Sequence, residues 1–291
     1  MTRYERIAMS SSTWEQDQLD PEKIAGETPA TAWDRLQILS FQEIGSTNEE
    51  ALRRARLGAP AGTVVVAESQ TQGRGRKGRS WISPPGPGLY FSVLLRPFQP
   101  VGDWPLLTHV ASAALVRTLR ALPEEALIPQ PLDLELKWPN DVLISGKKTA
   151  GILLETGGTG AIVSAAVVGI GINVGQFALP VELRNRVTSV SEAAGVLVPR
   201  RHLLVRFLCH FQAGYMLFER GDYAGILDQW KSFSHMWRDT PVWILEDESR
   251  RAAVTRGLTA SGALIVETDD GREETLLAGD VSIRRSSREE R

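Results

Sequence analysis

Strand-like runs that fail to alternate regularly with helices constrain this chain most. "RLQILSFQEI" (35–44), "GTVVVAES" (62–69), "GLYFSVLLRP" (88–97), "AGILLETGG" (150–158) and "AIVSAAVVGIGINVG" (161–175) are apolar or β-branched. Glycine or proline bounds most of them, as expected of buried strands. "LDLELKWPNDVLIS" (132–145) reads as strand, break at Pro139, strand. Helical spacing marks "STNEEALRRARLG" (46–58), "PLLTHVASAALVRTLRAL" (105–122), "RRHLLVRFLCHFQAGYMLFERG" (200–221) and "YAGILDQWKSFS" (223–234). The first of these has Ser46 or Thr47 as N-cap, acids in its first turn and Gly58 at its end. Because strands follow strands as often as they follow helices, the expected class is α+β with a mixed sheet, not a doubly wound fold.

From Pro241 to Arg284 the pattern changes to five short strand-like runs with hairpin signals at "TASG" and "DDG". This predicts a small barrel-like β module over 239–285, with a tail at 286–291. The main body is expected over 34–238. Residues 1–33 are polar and without periodicity, and are expected to form a mobile arm that docks through Trp33. That stretch is too short for a winged-helix DNA-binding domain.

A formal net charge of -2 over 291 residues argues against a protein that coats nucleic acid. Cys209 is the single cysteine, which excludes a disulfide framework within the chain and a metal–thiolate cluster, and fits a cytoplasmic protein. The apolar run 161–175 is too short and glycine-broken to span a membrane. His109, His202, His210 and His235 show no metal-ligand spacing.

Against this neutral background stands "TQGRGRKGRSW" (71–81), with Arg74, Arg76, Lys77 and Arg79. No acid occurs from Ser69 to Gly102. Glycines let successive backbone N–H groups converge on an anion, and the side chains add fixed charge. The stretch is not a Walker A loop, and it leads into a strand, not the helix a dinucleotide fingerprint requires. A solvated loop, a polyphosphate cradle and a nucleic-acid patch all remain open from composition alone. Trp81 suits either a stacking partner for a base or a core position. In "KWPND" (137–141), Lys137 ends an apolar strand, where a charge needs a partner. Lys147 and Lys148 follow. In "GIGINVG" (169–175), glycines replace side chains within a strand, which marks a bulge or the close approach of another group.

Taken together and in order, "STN", "QTQGRGRKGRSW", "KWPNDVLISGKKTAGILLE" and "VVGIGINV" closely resemble the biotin–protein ligases, over about residues 40 to 284. The resemblance implies a mixed-sheet catalytic domain shared with lipoate–protein ligases, followed by an SH3-like C-terminal domain. It implies ATP with Mg²⁺, biotin, and a biotin carboxyl carrier domain as acceptor, with a homodimer as one assembly. Ser46, Thr47, Asn48, Gln70, Gly73 and Arg74 would then hold biotin. Arg76 and Arg79 would lie in a loop over biotin and the adenylate. Trp81, Asn140 and Asn173 would contact the nucleotide, and Lys148 would lie beside the biotin carboxylate and the phosphate, with Lys147 as the adjacent alternative. The chemistry of joining a carboxylate to ATP makes Arg76, Arg79, Lys137 and Lys148 candidate catalytic cations, with Asp141 as a helper that orients the carrier amine or binds Mg²⁺; the metal ligands stay open. Without room for a winged helix, the chain resembles the monofunctional type, and DNA binding is not expected. The rival readings are a lipoate–protein ligase and a nucleic-acid-binding regulator.

Overall fold

In the computed structural model the described residues are 17, 19–29, 33, 35–159, 162–176, 180–246, 249–277 and 282–285. Most of the expected arm, residues 1–16 in particular, and the tail at 286–291 lie outside them. A seven-stranded sheet forms the body, in the order β1-β2-β3-β7-β6-β5-β4. Its strands are β1 (Gln37–Ile44), β2 (Thr63–Gln70), β3 (Gly88–Leu95), β4 (Leu134–Lys137), β5 (Asp141–Ile144), β6 (Lys147–Thr159) and β7 (Ile162–Asn173). Among the described strands of this sheet only β1 and β2 pair in parallel, and the other ladders are antiparallel. The mixed sheet and the α+β class agree with the sequence pattern.

Helix α1 (Pro21–Glu27) precedes the sheet, and α2 (Thr47–Arg56) joins β1 to β2. Helices α3 (Leu106–Ala121), α4 (Val190–Ala194), α5 (Arg200–Glu219) and α6 (Tyr223–Lys231) follow. The even-numbered residues Val64, Val66, Val168, Ile170 and Ile172 face one side, where they join Leu107, Ala111, Phe207 and Phe211 of α3 and α5 in the main core. Val65, Leu94, Ala165 and Val167 face the other side and pack under Ala51 of α2. Covered on both faces, β3 is buried along its whole length, which explains why "GLYFSVLL" shows no polar alternation.

Leu19 and Ile24, inside the stretch expected to be a mobile arm, are buried in this main core. Asp20 caps α1 by accepting from the N–H groups of Glu22 and Lys23. Trp33 packs on Phe211 and Tyr215 and donates from Nε1 to Leu208 O. Burial of two aliphatic side chains offsets the entropy of ordering this short segment.

The C-terminal module is a five-stranded antiparallel sheet in the order β11-β10-β9-β8-β12. Its strands are β8 (Pro241–Glu246), β9 (Ser249–Leu258), β10 (Leu264–Thr268), β11 (Glu273–Leu276) and β12 (Ser282–Arg285). Val242, Ile244, Leu264 and Val266 share the main core. Trp138, buried beside the break between β4 and β5, donates from Nε1 to Gly262 O at 3.1 Å. The module is thus bonded to the segment that carries Asn140 and Asp141.

Candidate active site

The basic loop between β2 and β3 lies over the face of the sheet that α2 covers. Beneath it is a cavity of about 150 Å³ lined by the start of α2, the loop, and β5, β6 and β7. Period-two geometry makes this space. Ala165 and Val167 fill the face under α2, but the next residues on it are Gly169 and Gly171, and Gly151 pairs with Gly171 across the ladder. A Cβ on Gly171 would lie 2.5 Å from Trp81 Nε1, and one on Gly151 would lie 3.1 Å from the same ring. A Cβ on Gly169 would lie 2.1 Å from Asn48 Oδ1. The glycines therefore exist for close approach: the Trp81 indole and the Asn48 amide occupy the positions where side chains would be.

A chain of polar groups runs along one wall. Gln70 Oε1 accepts from Thr47 N at 2.9 Å and Thr47 Oγ1 at 3.1 Å, while Gln70 Nε2 donates to Ser83 Oγ at 3.0 Å. Ser92 Oγ, with one proton, reaches Thr47 Oγ1 at 2.8 Å and Asn48 Oδ1 at 2.6 Å. Asn48 Nδ2 donates to Glu155 Oε2 at 2.7 Å, and Glu155 Oε1 lies 3.5 Å from Arg74. Ser46 N-caps α2 without a side-chain capping bond, and it lines the cavity. Ser83, Ser92 and Glu155 were not picked out from the sequence. Ser92 did carry a signal, a hydroxyl inside an otherwise apolar strand, since a buried polar group needs a partner.

Cations close the opposite side. Arg76 donates from a terminal nitrogen to Asn140 Oδ1 at 3.2 Å, and Asn140 is anchored by Nδ2 donating to Ile152 O at 2.7 Å. The loop thus reaches across the cavity to β5. Arg79 and Lys148 also line it, and Lys148 Nζ stands 2.5 Å from Asp141 Oδ1 and 5.3 Å from the Trp81 ring centroid. Asp141 is the one carboxylate among the described lining residues. Lys137 lies just behind, 4.0 Å from Asp141. Burial pushes its ammonium below its ordinary value; Asp141 opposes the shift, and Lys148, Arg186 and Arg79 add to it.

The structure thus brings together Ser46, Thr47, Asn48, Gln70, Arg74, Arg76, Arg79, Trp81, Asn140, Asp141 and Lys148 around one cavity. Gly73 stands at its edge, where a Cβ would fall 2.4 Å from Trp81 O. Asn173 is not in the lining; it is buried, and its Nδ2 donates to Thr188 O. Of the two adjacent lysines, Lys147 is exposed and Lys148 points into the cavity. Chemically, the site offers a wall of hydroxyl and amide groups, backed by the Glu155–Arg74 pair, for a polar head group and a cationic wall for an anion.

Residues 41–173 match the biotin/lipoate A/B protein ligase family, and residues 251–284 match the biotin protein ligase C-terminal domain. The bifunctional ligase/repressor BirA of Bacillus spizizenii is 35% identical over 238 residues, which cover 81% of this chain and 71% of that protein. The biotin–[acetyl-CoA-carboxylase] ligase of Paracoccus denitrificans is 32% identical, covering 78% of this chain and 93% of its own. Among solved structures, the biotin protein ligase of Aquifex aeolicus in complex with biotin and ATP superposes with a TM-score of 0.68 at 31% identity, covering 86% of this chain and 99% of that one.

Proposed function

The chain belongs to the biotin/lipoate A/B protein ligase family, and from that premise we propose that it is a biotin–[acetyl-CoA-carboxylase] ligase. It activates biotin with ATP as biotinyl-AMP and passes the biotinyl group to a lysine of a biotin carboxyl carrier domain. The observation that carries the reading is the junction, in one cavity, of the Gln70–Thr47–Ser92–Asn48 wall with the cations of the basic loop. The matching C-terminal domain and the named relatives favour biotin over lipoate.

In the first step a biotin carboxylate oxygen attacks the α-phosphorus of ATP, and the bond to the leaving pyrophosphate breaks. Two anions meet, so charge must be neutralised where it accumulates. Arg76, Arg79, Lys137 and Lys148 supply fixed cations for that purpose. No proton transfer is required. Ser46, Thr47, Asn48, Gln70, Gly73 and Arg74 bind biotin. Trp81 and Asn140 serve the nucleotide, and Asn173 steadies the end of β7 beside it. The ATP would enter with Mg²⁺, and the donor set suits that ion: Asp141 supplies a single carboxylate, and Mg²⁺ is commonly held by one or two carboxylates together with substrate phosphates. When bound, Mg²⁺ supplies charge neutralisation on the phosphates.

In the second step the neutral amine of a carrier lysine attacks the acyl carbon and AMP leaves. Asp141 serves one of two tasks, holding the Mg²⁺ of the first step or orienting that amine. The loop excludes water from the anhydride in the interval. The reaction belongs in the cytoplasm, where ATP is supplied; no helix among the described residues is long and apolar enough to cross a membrane. Incubation with biotin, ATP–Mg²⁺ and a carrier domain is expected to raise the mass of the carrier by one biotinyl group. An unlabelled carrier, or preferential labelling with lipoate in competition, overturns the proposal.

A further inference from the structure

Arg200, the first residue of α5, is only 1% exposed, an unusual place for a guanidinium. Every one of its N–H groups has an acceptor. Nε donates to Asp17 Oδ2 at 3.1 Å, and one terminal nitrogen donates to Glu68 Oε2 at 2.7 Å and Gly88 O at 3.2 Å. The other donates to Asp17 O at 3.1 Å and Glu68 Oε1 at 3.3 Å. Asp17 also accepts from the backbone N–H groups of Arg200 and Arg201, at the start of the helix. A buried charge is tolerated only when its hydrogen bonds are completed in this way.

Where this group sits gives it a use. The β2–β3 ladder runs from Val64↔Val93 to Ala67↔Tyr90 and stops. Beyond it, β2 continues on β1 as far as Ile44↔Gln70, and β3 begins on β7 at Gly88↔Asn173. The two strands therefore fork, and the basic loop leaves from the fork. Glu68 and Gly88 stand on the two arms, and one nitrogen of Arg200 bonds both. Two residues after Glu68 comes Gln70, the centre of the polar wall.

We propose that Arg200, locked by Asp17, is a positioning residue that clamps the root of the loop covering biotin and its adenylate, an inference that rests on the ligase reading above. The guanidinium touches neither ligand. It fixes the separation of the loop's two stems, and with it the registry of Gln70 against Ser83 and of Arg76 against Asn140. The planar fork is essential, because an ammonium on a flexible stem, with three donors, cannot hold two carboxylates and two carbonyls at once. Asp17 lies 183 positions before Arg200, so the segment ahead of β1 is part of the device.

The test uses the full chain with Asp17→Asn and Arg200→Lys. Asn at 17 presents an amide to N–H groups that need an acceptor, yet leaves Arg200 and Glu68 in place. Measured are biotin KM and kcat for adenylate formation, the release of free biotinyl-AMP, and Tm. Both variants are expected to release biotinyl-AMP about tenfold faster and to raise biotin KM about tenfold, with kcat changed far less, because small displacements of positioning groups are costly. A folded Asp17→Asn protein that keeps the wild-type KM and release rate overturns the clamp, whatever its Tm, and it decides alone if Arg200→Lys does not fold. A wild-type protein that makes no biotinyl-AMP overturns the ligase reading itself, and the clamp with it.

Discussion

Lys148 Nζ stands 2.5 Å from Asp141 Oδ1 while facing the Trp81 ring at 5.3 Å. A lysine held this way is oriented before any phosphate arrives, and it can exchange its carboxylate partner for a stronger anion. Lys148→Ala is expected to lower adenylate formation by about 10²–10³, the usual effect of removing one group that stabilises transition-state charge. Lys147→Ala, at an exposed position outside the cavity, should leave it near wild type. Pyrophosphate release with biotin and ATP measures both; equal effects at the two lysines would sink the assignment.

Arg76 reaches Asn140 across the cavity at 3.2 Å. Arg76→Gly removes that tie and adds backbone freedom to the loop. The expected result is loss of water exclusion and retention of some activation chemistry, so free biotinyl-AMP accumulates in the medium. Separation of free from enzyme-bound adenylate is the measurement, and wild-type retention would exclude a lid function for this loop.

Gly169 and Gly171 make distinct predictions. A methyl on Gly169 would collide with Asn48 and disturb the biotin wall; one on Gly171 would collide with the Trp81 indole. Gly169→Ala should therefore raise KM for biotin about tenfold or more, and Gly171→Ala should raise KM for ATP, each with overpacking costs of about 1–3 kcal/mol in stability. Separate titrations of the two substrates test this. An identical pattern for both variants would mean general disruption instead.

His109, fully buried against Trp230 and the Gly262 turn, connects the two modules. Burial pulls its pKa from 6.5 down to about 4. Between those values the unfolded chain binds the extra proton and the folded protein does not, so this group's contribution is intact above pH 6.5 and is lost as pH falls toward 4. The difference amounts to roughly 3 kcal/mol. Denaturant unfolding of wild type and His109→Leu across this range should show a shallower acid limb in the variant. Parallel curves would show that His109 does not titrate in this way.

Much of this was legible along the chain because strands, helices and turns are written in local periodicity. The β-branched run at 63–66, the N-cap at Ser46 and the break at Pro139 each report on a few adjacent residues. The loop's cations and the glycines of "GIGIN" were visible as chemistry in the wrong place, a charge-dense loop in a neutral chain and a strand without side chains. Nothing local says which face Gly169 and Gly171 present. That follows only once β7 is inserted between β3 and β6, with the isoleucines turned into the main core.

Other features had no sequence signature at all. Glu155 reads as the last residue of an apolar run until Asn48, 107 positions earlier, is brought beside it. Arg200 reads as one of two basic residues opening a helix, and Asp17 as one polar residue in a featureless segment. By itself the sequence determined the strands, the four long helices, their order and the chemical types gathered at the loop, since those depend on neighbours within a turn or a strand; the short helices α1 and α4, which lean on tertiary burial, carried no such mark. The tertiary structure alone decided which charges are buried, which are paired, and which lysine of two enters the cavity. Those outcomes depend on solvent exclusion and on contacts between residues far apart in the chain.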